Sequence, residues 1–290
     1  MWRGFRRVRL QRRGRGPERR RRHAYIRTCS SNGLWRIDMA QERGRLKGRV
    51  CVVAGAGGDM GEAVARRFAQ EGGIVVGVDR RSHAIGELAL VADLDDEAAV
   101  QGAYGQVAER YGRIDVLYNN AGPLDPEDHS ALDTTLATWN RVVASILTVT
   151  WLSCKHAIPY MGKGAFAGSV INTSSFLAGM GASTGQMAFN AAKAGVEQLS
   201  RDLGVHLARR NIRVNALAVG PIETSEMRAT FERLGPEQSE RRFTHMPMGR
   251  FGTLEELAAT AAYLASDDAG FVTATSFPLN GGIPNAFTVP

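Results

Sequence analysis

The stretch RVCVVAGAGGDMG, at residues 49–61, decides the fold of this chain. In it, an apolar, β-rich run leads into a cluster of glycines, and a segment with helical periodicity follows. Glycines allow a tight turn and let backbone N–H groups approach a pyrophosphate at the N-terminus of the next helix. Asp79 ends the next apolar run, where a carboxylate can accept hydrogen bonds from an adenosine ribose. Together these features predict a dinucleotide-binding turn; a turn that only connects strand and helix is the alternative.

The chain from residue 49 onward alternates short β-rich runs with longer helical segments. This alternation predicts a single α/β domain of the Rossmann type, a doubly wound parallel sheet with helices on both faces. Strands are predicted at 49–54, 74–79, 88–91, 114–119, 169–173, 212–218 and 276–279. Helices are predicted at 60–70, 95–111, 136–161, 186–210 and 254–266. The charged, methionine-rich segment 223–251 is interpreted as the mobile cover of an active site or as a solvated surface loop.

The net charge of +7 is divided unevenly along the 290 residues. Residues 1–38 carry +11, and residues 39–290 carry −4, so nothing in the charge favours nucleic-acid binding by the folded domain. We expect the Arg-rich leader, 1–38, to be disordered or a spurious extension ahead of Met39, and residues 39–290 to form the catalytic domain. A mitochondrial transit peptide and a basic tail that contacts acidic surfaces remain alternatives.

The cysteines and the apolar stretches bear on compartment, metals and membranes. The three cysteines are odd in number and widely spaced, so neither a disulfide framework nor a metal site is expected. The apolar stretch 142–154 is shorter than the ~20 residues of a membrane-spanning helix, so we expect no membrane partner. The predicted location is therefore cytoplasmic, or mitochondrial if the leader is a transit peptide.

Several ordered motifs resemble those of the short-chain dehydrogenase/reductase superfamily over most of the chain from Met39. The turn is similar to the family's T-G-x-x-x-G-x-G, with Ala54 in place of Thr and Asp59 in place of the middle Gly. Later segments resemble the acidic-aliphatic pair near adenine, the N-N-A-G motif, the nicotinamide segment and the terminal D-G-G. These are Asp93-Leu94, Asn119-Asn120-Ala121-Gly122, the run from Val214 to Thr224, and Asn280-Gly281-Gly282.

The resemblance implies a nicotinamide dinucleotide cofactor and a set of binding residues. An acidic residue at position 79 implies NAD, because a carboxylate suits two ribose hydroxyls and repels a 2′-phosphate. Arg80 and Arg81 could instead pair with a 2′-phosphate, which keeps NADP as the alternative. The implied cofactor-binding residues are Gly55, Gly58, Asp59, Met60, Gly61, Asp79, Arg80, Asp93, Leu94, Asn120, Ala121, Gly122, Lys193, Gly220, Ile222 and Thr224.

The resemblance also implies a catalytic set of Asn, Ser, Tyr and Lys, and this chain departs from it twice. Ser175 and Lys193 match the family's Ser and Lys. Phe189 falls at the Tyr position and Ile146 at the Asn position. A phenyl ring has no proton to give, and Ile cannot hold a relay water, so the family's usual proton transfer is not available. Other side chains near these motifs could supply a proton, and none stands out: Tyr118, His156, Tyr160, Gln186, Asn190, Glu223 and His245.

Three functions fit these observations. The first is an atypical NAD-linked oxidoreductase that acts on an alcohol or carbonyl group of a small metabolite. The second is a non-redox enzyme on the same scaffold, such as a cyclase, dehydratase, isomerase or lyase. The third is a pseudoenzyme that binds cofactor without turnover. By resemblance, the predicted helices 136–161 and 186–210 form the core of a homo-oligomer, a dimer or a tetramer.

Overall fold

A computed structural model describes residues 44–120, 122–164, 166–181 and 185–286. These residues belong to one compact unit, 43–290. The Arg-rich leader lies outside the described residues, so its separation from the domain at residue 39 stays a prediction.

Seven parallel strands form one sheet in the order β3-β2-β1-β4-β5-β6-β7. The order reverses direction at β1, which is the topology of a doubly wound sheet and confirms the predicted fold class. The strands are β1 (Val50–Ala54), β2 (Ile74–Asp79), β3 (Leu88–Val91), β4 (Val116–Asn119), β5 (Gly168–Ser175), β6 (Ile212–Val219) and β7 (Ser276–Leu279).

The helices cover both faces of this sheet. They are α1 (Asp59–Gln70), α2 (Glu97–Tyr111), α3 (Leu136–Val143), α4 (Val149–Ala157), α5 (Met187–Leu207), α6 (Ser225–Phe243) and α7 (Leu254–Ala265). Successive side chains of a strand point to opposite faces, so β1 contributes to two cores. Val50 and Val52 pack with apolar residues of α2 and α4, whereas Cys51 and Val53 pack with those of α1 and α7.

One continuous helical run, Leu136–Tyr160, contains α3, a π-helical segment at Ala144–Thr148, and α4. By length and composition alone, this run of 25 residues could cross a membrane, so the sequence argument from the shorter stretch 142–154 is wrong on length. Leu152 and Cys154 nevertheless lie in the core beside the sheet, as in a core helix of a globular domain. The absence of a membrane partner stays a prediction.

The segment 223–251 differs from the surface loop considered above. It contains α6, whose backbone is broken at Gly235, with a φ of 76°, directly before Pro236. Thr224 begins the helix, because its hydroxyl accepts the N–H of Met227 at 3.1 Å. The loop alternative is therefore wrong, and the interpretation as a mobile cover stays a prediction.

Candidate dinucleotide and catalytic site

The turn between β1 and α1 depends on two glycines. Gly55 has a φ of 78°, in the left-handed region that glycine adopts without strain. Gly61 lies against it so closely that an added Cβ would be 2.1 Å from the Gly55 carbonyl oxygen. The turn therefore brings the N-terminus of α1, with its free N–H groups, to the carboxyl end of β1.

Asp79, at the end of β2, is held by backbone donors. Its carboxylate accepts the N–H of Gly57 at 2.9 Å and the N–H of Arg81 at 3.0 Å. The Arg81 guanidinium donates to the Gly57 carbonyl oxygen at 2.9 Å. An added Cβ at Gly57 would lie 3.1 Å from the carboxyl group, so a larger residue would crowd Asp79. The side chain is fixed at the edge of the glycine-rich turn.

A cleft of about 500 Å³ opens at the carboxyl ends of β1 to β4, where doubly wound sheets bind ligands. It brings together most of the cofactor-binding residues that the sequence predicted: Gly55, Gly58, Asp59, Met60, Asp79, Arg80, Asp93, Leu94, Asn120, Gly122 and Thr224. The cleft has further lining residues that were not predicted to bind the cofactor. Gly57, Asp95, Pro123 and Ser225 adjoin predicted residues in the sequence, whereas Ser145 and Val149 reach the cleft through the tertiary fold.

Some predicted cofactor-binding residues lie elsewhere. Gly61 supports the turn from behind the cleft lining. Gly220 and Ile222 line a separate cavity of about 90 Å³, together with Met246 and Met248. Ala121 lies outside the described residues.

The predicted catalytic residues do not line the cleft itself, but three of them meet beside Gly122. An added Cβ at Gly122 would be 2.7 Å from Cγ1 of Ile146 and 3.3 Å from Nζ of Lys193. The ammonium of Lys193 lies 5.5 Å from the centre of the Phe189 ring and donates to the Thr173 carbonyl oxygen at 3.0 Å. Ser175 is two residues farther along the same strand, at the end of β5.

Burial changes the acidity of Lys193. The side chain is 4% exposed, and burial lowers its pKa from the usual 10.5 to about 8 because the charged form loses hydration. The Phe189 ring supplies only a weak cation–π contact and has no group that exchanges a proton.

No cluster of three or more His, Cys, Asp or Glu side chains suited to a metal ion occurs among the described residues. The cleft is instead built for a dinucleotide. Its cradle is too tight for side chains at Gly57 and Gly61, and a helix N-terminus and a fixed carboxylate face the space. These residues fit a nicotinamide dinucleotide.

Comparison with known proteins agrees with this geometry. A family model described as enoyl-(acyl carrier protein) reductase matches residues 55–284. The chain belongs to the short-chain dehydrogenase/reductase superfamily. It is 34% identical over 248 residues to meso-2,3-butanediol dehydrogenase of Serratia marcescens, which covers 82% of this chain and 95% of that protein. It is likewise 34% identical to a 3-oxoacyl-acyl-carrier-protein reductase of Thermotoga maritima, over 82% of this chain and 99% of the relative.

A solved structure of the superfamily, the crystal structure of levodione reductase, superimposes with a TM-score of 0.77. The match has 33% identity and covers 83% of this chain and 100% of that one. At the level of the superfamily, the chain is thus similar to NAD(P)-dependent oxidoreductases of alcohols and carbonyl compounds.

Within this superfamily fold, Asp128 is a residue that the sequence analysis missed. It is buried, and its carboxylate accepts the N–H of Ala188 at 3.0 Å and the N–H of Phe189 at 2.8 Å. These bonds hold the first turn of α5. The helix carries Phe189 in this turn and Lys193 in the next. Asp128 lies 61 residues before Phe189, and no local motif links the two positions.

The π-helical segment at Ile146 is a second feature that the sequence did not reveal. Ile146 is fully buried, and its carbonyl oxygen accepts the hydroxyl of Thr150 at 2.7 Å. Short π-helical turns inside α-helices occur frequently at functional sites, because they move one side chain off the regular helical spacing. Here the π-helical turn contains Ile146, whose side chain lies beside Gly122 and near the Lys193 ammonium.

Proposed function

We propose that the protein is an NAD-linked oxidoreductase that interconverts an alcohol and a carbonyl group on a small metabolite, with a proton relay altered from the family pattern. The Asp79 carboxylate, held by the Gly57 and Arg81 N–H groups at the edge of the cleft, carries this proposal. A fixed carboxylate at the end of β2 is suited to accept hydrogen bonds from the two hydroxyls of an adenosine ribose.

The contacts of Arg81 favour NAD over NADP. Its guanidinium donates to the Gly57 carbonyl oxygen and lies 3.6 Å from the Asp79 carboxylate. To pair with a 2′-phosphate, Arg81 would have to leave both partners, and Asp79 would still repel the phosphate. Calorimetry should therefore give at least several-fold tighter binding of NAD(H) than of NADP(H). The reverse preference would mean that Arg80 or Arg81, and not Asp79, sets the choice.

In this proposal the bound cofactor would supply hydride chemistry, and the chain would bind and orient the cofactor and the substrate. The glycine-rich turn would bind the pyrophosphate, and Lys193 would hold the nicotinamide ribose. The Ser175 hydroxyl, at the end of β5, holds the oxygen of the carbonyl group. Phe189 cannot deliver a proton, so the substrate, water or another side chain must supply it.

One nearby phenol is a poor substitute. Tyr118 is fully buried in β4, and burial raises its pKa to about 12, so the proton is held too tightly for transfer near neutral pH. Nε2 of His156 lies 3.0 Å from the carboxylate of Glu97, at the start of α2, and this carboxylate also accepts a hydrogen bond from the Lys155 ammonium. General acid catalysis contributes ~10²–10⁴-fold, so slow turnover without it is consistent with the proposal.

The test is the absorbance of reduced nicotinamide during incubation with a panel of small alcohols, diols, ketones and diketones. We expect slow turnover with NAD(H) that Lys193→Ala abolishes. Tight cofactor binding without any absorbance change over the whole panel would refute the redox part of the proposal.

The apolar environment of Lys193 favours a second candidate function, a non-redox reaction such as that of a cyclase, dehydratase, isomerase or lyase. Phe189 and Ile146 leave an apolar surface near a lysine whose lowered pKa suits it to act as a base. Product analysis separates the candidates, because this reaction would consume substrate with no net change in the cofactor. Binding with neither outcome would indicate a pseudoenzyme.

We further propose a homo-oligomer assembled through the outer faces of α3, α4 and α5. Large apolar side chains there are exposed at helical spacing, among them Leu136, Trp139 and Trp151. Light scattering at micromolar concentration should give at least a dimer, and a monomer would contradict this.

We propose no nucleic-acid or membrane partner and a cytoplasmic location, with mitochondria as the alternative. A fluorescent fusion to the full chain tests the location.

A further inference from the structure

A hydrogen bond joins two walls of the dinucleotide cleft. Asp59, the first residue of α1, accepts the backbone N–H of Ser225, the first residue of α6, at 2.6 Å. The two residues are 166 positions apart in the sequence. Gly58 and Asp59 line the cleft at the start of α1, and Thr224 and Ser225 line it at the start of α6. The bond therefore connects two segments that both line this cleft.

The bond fastens a helix that is weakly anchored elsewhere. None of the described side chains of α6 is buried, and the helix is interrupted at Gly235. Phe231 and Phe243 of α6 pack with Phe251, which follows the helix in the chain; the ring centroids are 4.7 to 5.4 Å apart. At the beginning of α6, the Ser225 N–H is one of the donors that a helix leaves without an internal partner. Asp59 satisfies it.

The charge of Asp59 suits this position. Hydrogen bonds from the backbone and side chain of Ser225 hold the pKa of the Asp59 carboxyl below its usual range, so the group is ionised at neutral pH. A carboxylate at the N-terminus of α6 is also stabilised by the partial positive charge of the helix end. Oδ2 of Asp59 is thereby directed towards Ser225, although its charge still lies beside the expected pyrophosphate.

We propose that Asp59 is a positioning residue that fastens the start of α6 across the cleft and so slows the release of the bound dinucleotide. This inference rests on the dinucleotide binding proposed above. It assigns a role to the residue that stands where the family pattern has a glycine. Glycine has no side chain to make this bond, so the fastening is a property of this chain's own sequence.

Two substitutions separate the hydrogen bond from the charge. Asp59→Asn removes the charge and keeps an oxygen that can accept the Ser225 N–H. Asp59→Ala removes both, and Asp59→Gly serves as a second non-accepting variant if the Ala variant does not fold. Glu62→Gln is the matched control, because Glu62 is also in the first turn of α1 but pairs with Arg66 on the exposed side.

The first measurement is hydrogen exchange of the full chain without cofactor. In Asp59→Ala, the amide of Ser225 and the first turn of α6 should exchange on the order of tenfold faster, the effect expected for loss of a hydrogen bond to a charged group. Asp59→Asn should give a smaller increase, and Glu62→Gln should give none. Unchanged exchange in Asp59→Ala would overturn the proposal.

The second measurement is the dissociation rate of NADH, followed by its fluorescence after displacement with excess NAD. Asp59→Ala should release NADH about fivefold faster than Asp59→Asn, because both lack the charge and only Asn keeps the acceptor. Equal rates would mean that the bond orders α6 without governing the cofactor, which overturns the inference. If the unaltered protein bound neither NADH nor NADPH, the proposed function itself would fail. That outcome differs from equal rates and also ends the inference, while exchange would still report the bond.

Discussion

Introducing a phenol and a water anchor beside Lys193 should create the proton relay that the family resemblance implies. The double variant Phe189→Tyr, Ile146→Asn places the phenol near an ammonium that lies 5.5 Å from the present ring centre. For a phenolate oxygen on the order of 5 Å from the ammonium, and an effective dielectric constant of about 20, the charge favours the phenolate by about 3 kcal/mol, which lowers a Tyr pKa by about two units. Phe189 is only half-buried. Burial would therefore raise the pKa of a tyrosine at this position less than it raises the pKa of Tyr118, which reaches about 12.

A phenol with a pKa of about 8 to 9 is suited to general acid and base catalysis near neutral pH, so we expect a gain of about 10²–10⁴-fold. The assay is the absorbance of reduced nicotinamide with the same panel of alcohols and carbonyl compounds. Ile146→Asn has a cost, because Ile146 is fully buried and an unpaired amide there would lower the free energy of unfolding by about 1–3 kcal/mol.

The matched controls isolate the phenol. Phe189→Leu, with Ile146→Asn, changes the packing without adding a proton donor and should stay at the parental rate. The double variant in a Lys193→Met background should also stay there, because no ammonium lowers the Tyr pKa. The reasoning is refuted if the folded, NAD-binding double variant has only parental activity. It is equally refuted if the unaltered protein already works at ordinary rates and Lys193→Ala leaves them unchanged.

Three further outcomes follow from individual contacts. Asp79→Ala should weaken NAD binding at least about tenfold in calorimetry, because the ribose loses a charged acceptor, and should reduce the preference for NAD over NADP; unchanged affinity would count against the ribose assignment. Lys193→Met should raise the free energy of unfolding at pH 7 by about 2 kcal/mol. The lowered lysine pKa, from 10.5 to about 8, corresponds to a destabilisation of about 3 kcal/mol that the variant removes, and loss of the hydrogen bond to Thr173 offsets about 1 kcal/mol of this gain. This cost exists below pH 8 and disappears as the pH rises from about 8 to 10.5, so denaturant titrations at pH 7 and pH 10 should differ in that direction. Deleting residues 1–38 should leave the melting temperature and cofactor affinity unchanged, because an Arg-rich stretch with few apolar groups buries little surface; a fall of more than a few degrees would contradict it.

The fold was predictable because short β-rich runs alternate with helical segments along the domain. The bounds of β2, β3 and β7 agree with the sequence prediction. β5 and β6 are longer than predicted, because Ser174 and Ser175 pair with Ala218 and Val219. Polar side chains in a strand conceal such pairing, and only the partner strand reveals it.

The site was predictable where its residues follow a strand directly, and not where distant segments meet. Gly55 and Asp79 end neighbouring strands, so their proximity follows from the topology. The bonds from Asp128 to the start of α5 and from Asp59 to the start of α6 join residues 61 and 166 positions apart. α6 itself was missed because its charged sequence, interrupted at Gly235, has little helical amphipathicity.

A lysine at position 193 could have two roles: lowering the pKa of a neighbouring tyrosine and holding the nicotinamide ribose. A buried lysine beside a tyrosine lowers the pKa of the phenol. Here the ammonium instead contacts a phenyl ring and the Thr173 carbonyl oxygen. Its remaining use in the proposed function is to hold the nicotinamide ribose. Lys193→Met should then have opposite effects on two measurements: it should stabilise the cofactor-free protein and weaken NAD binding. A variant that gains stability and binds NAD as tightly as before would show that the lysine does not hold the cofactor, and the altered-relay interpretation would lose its support.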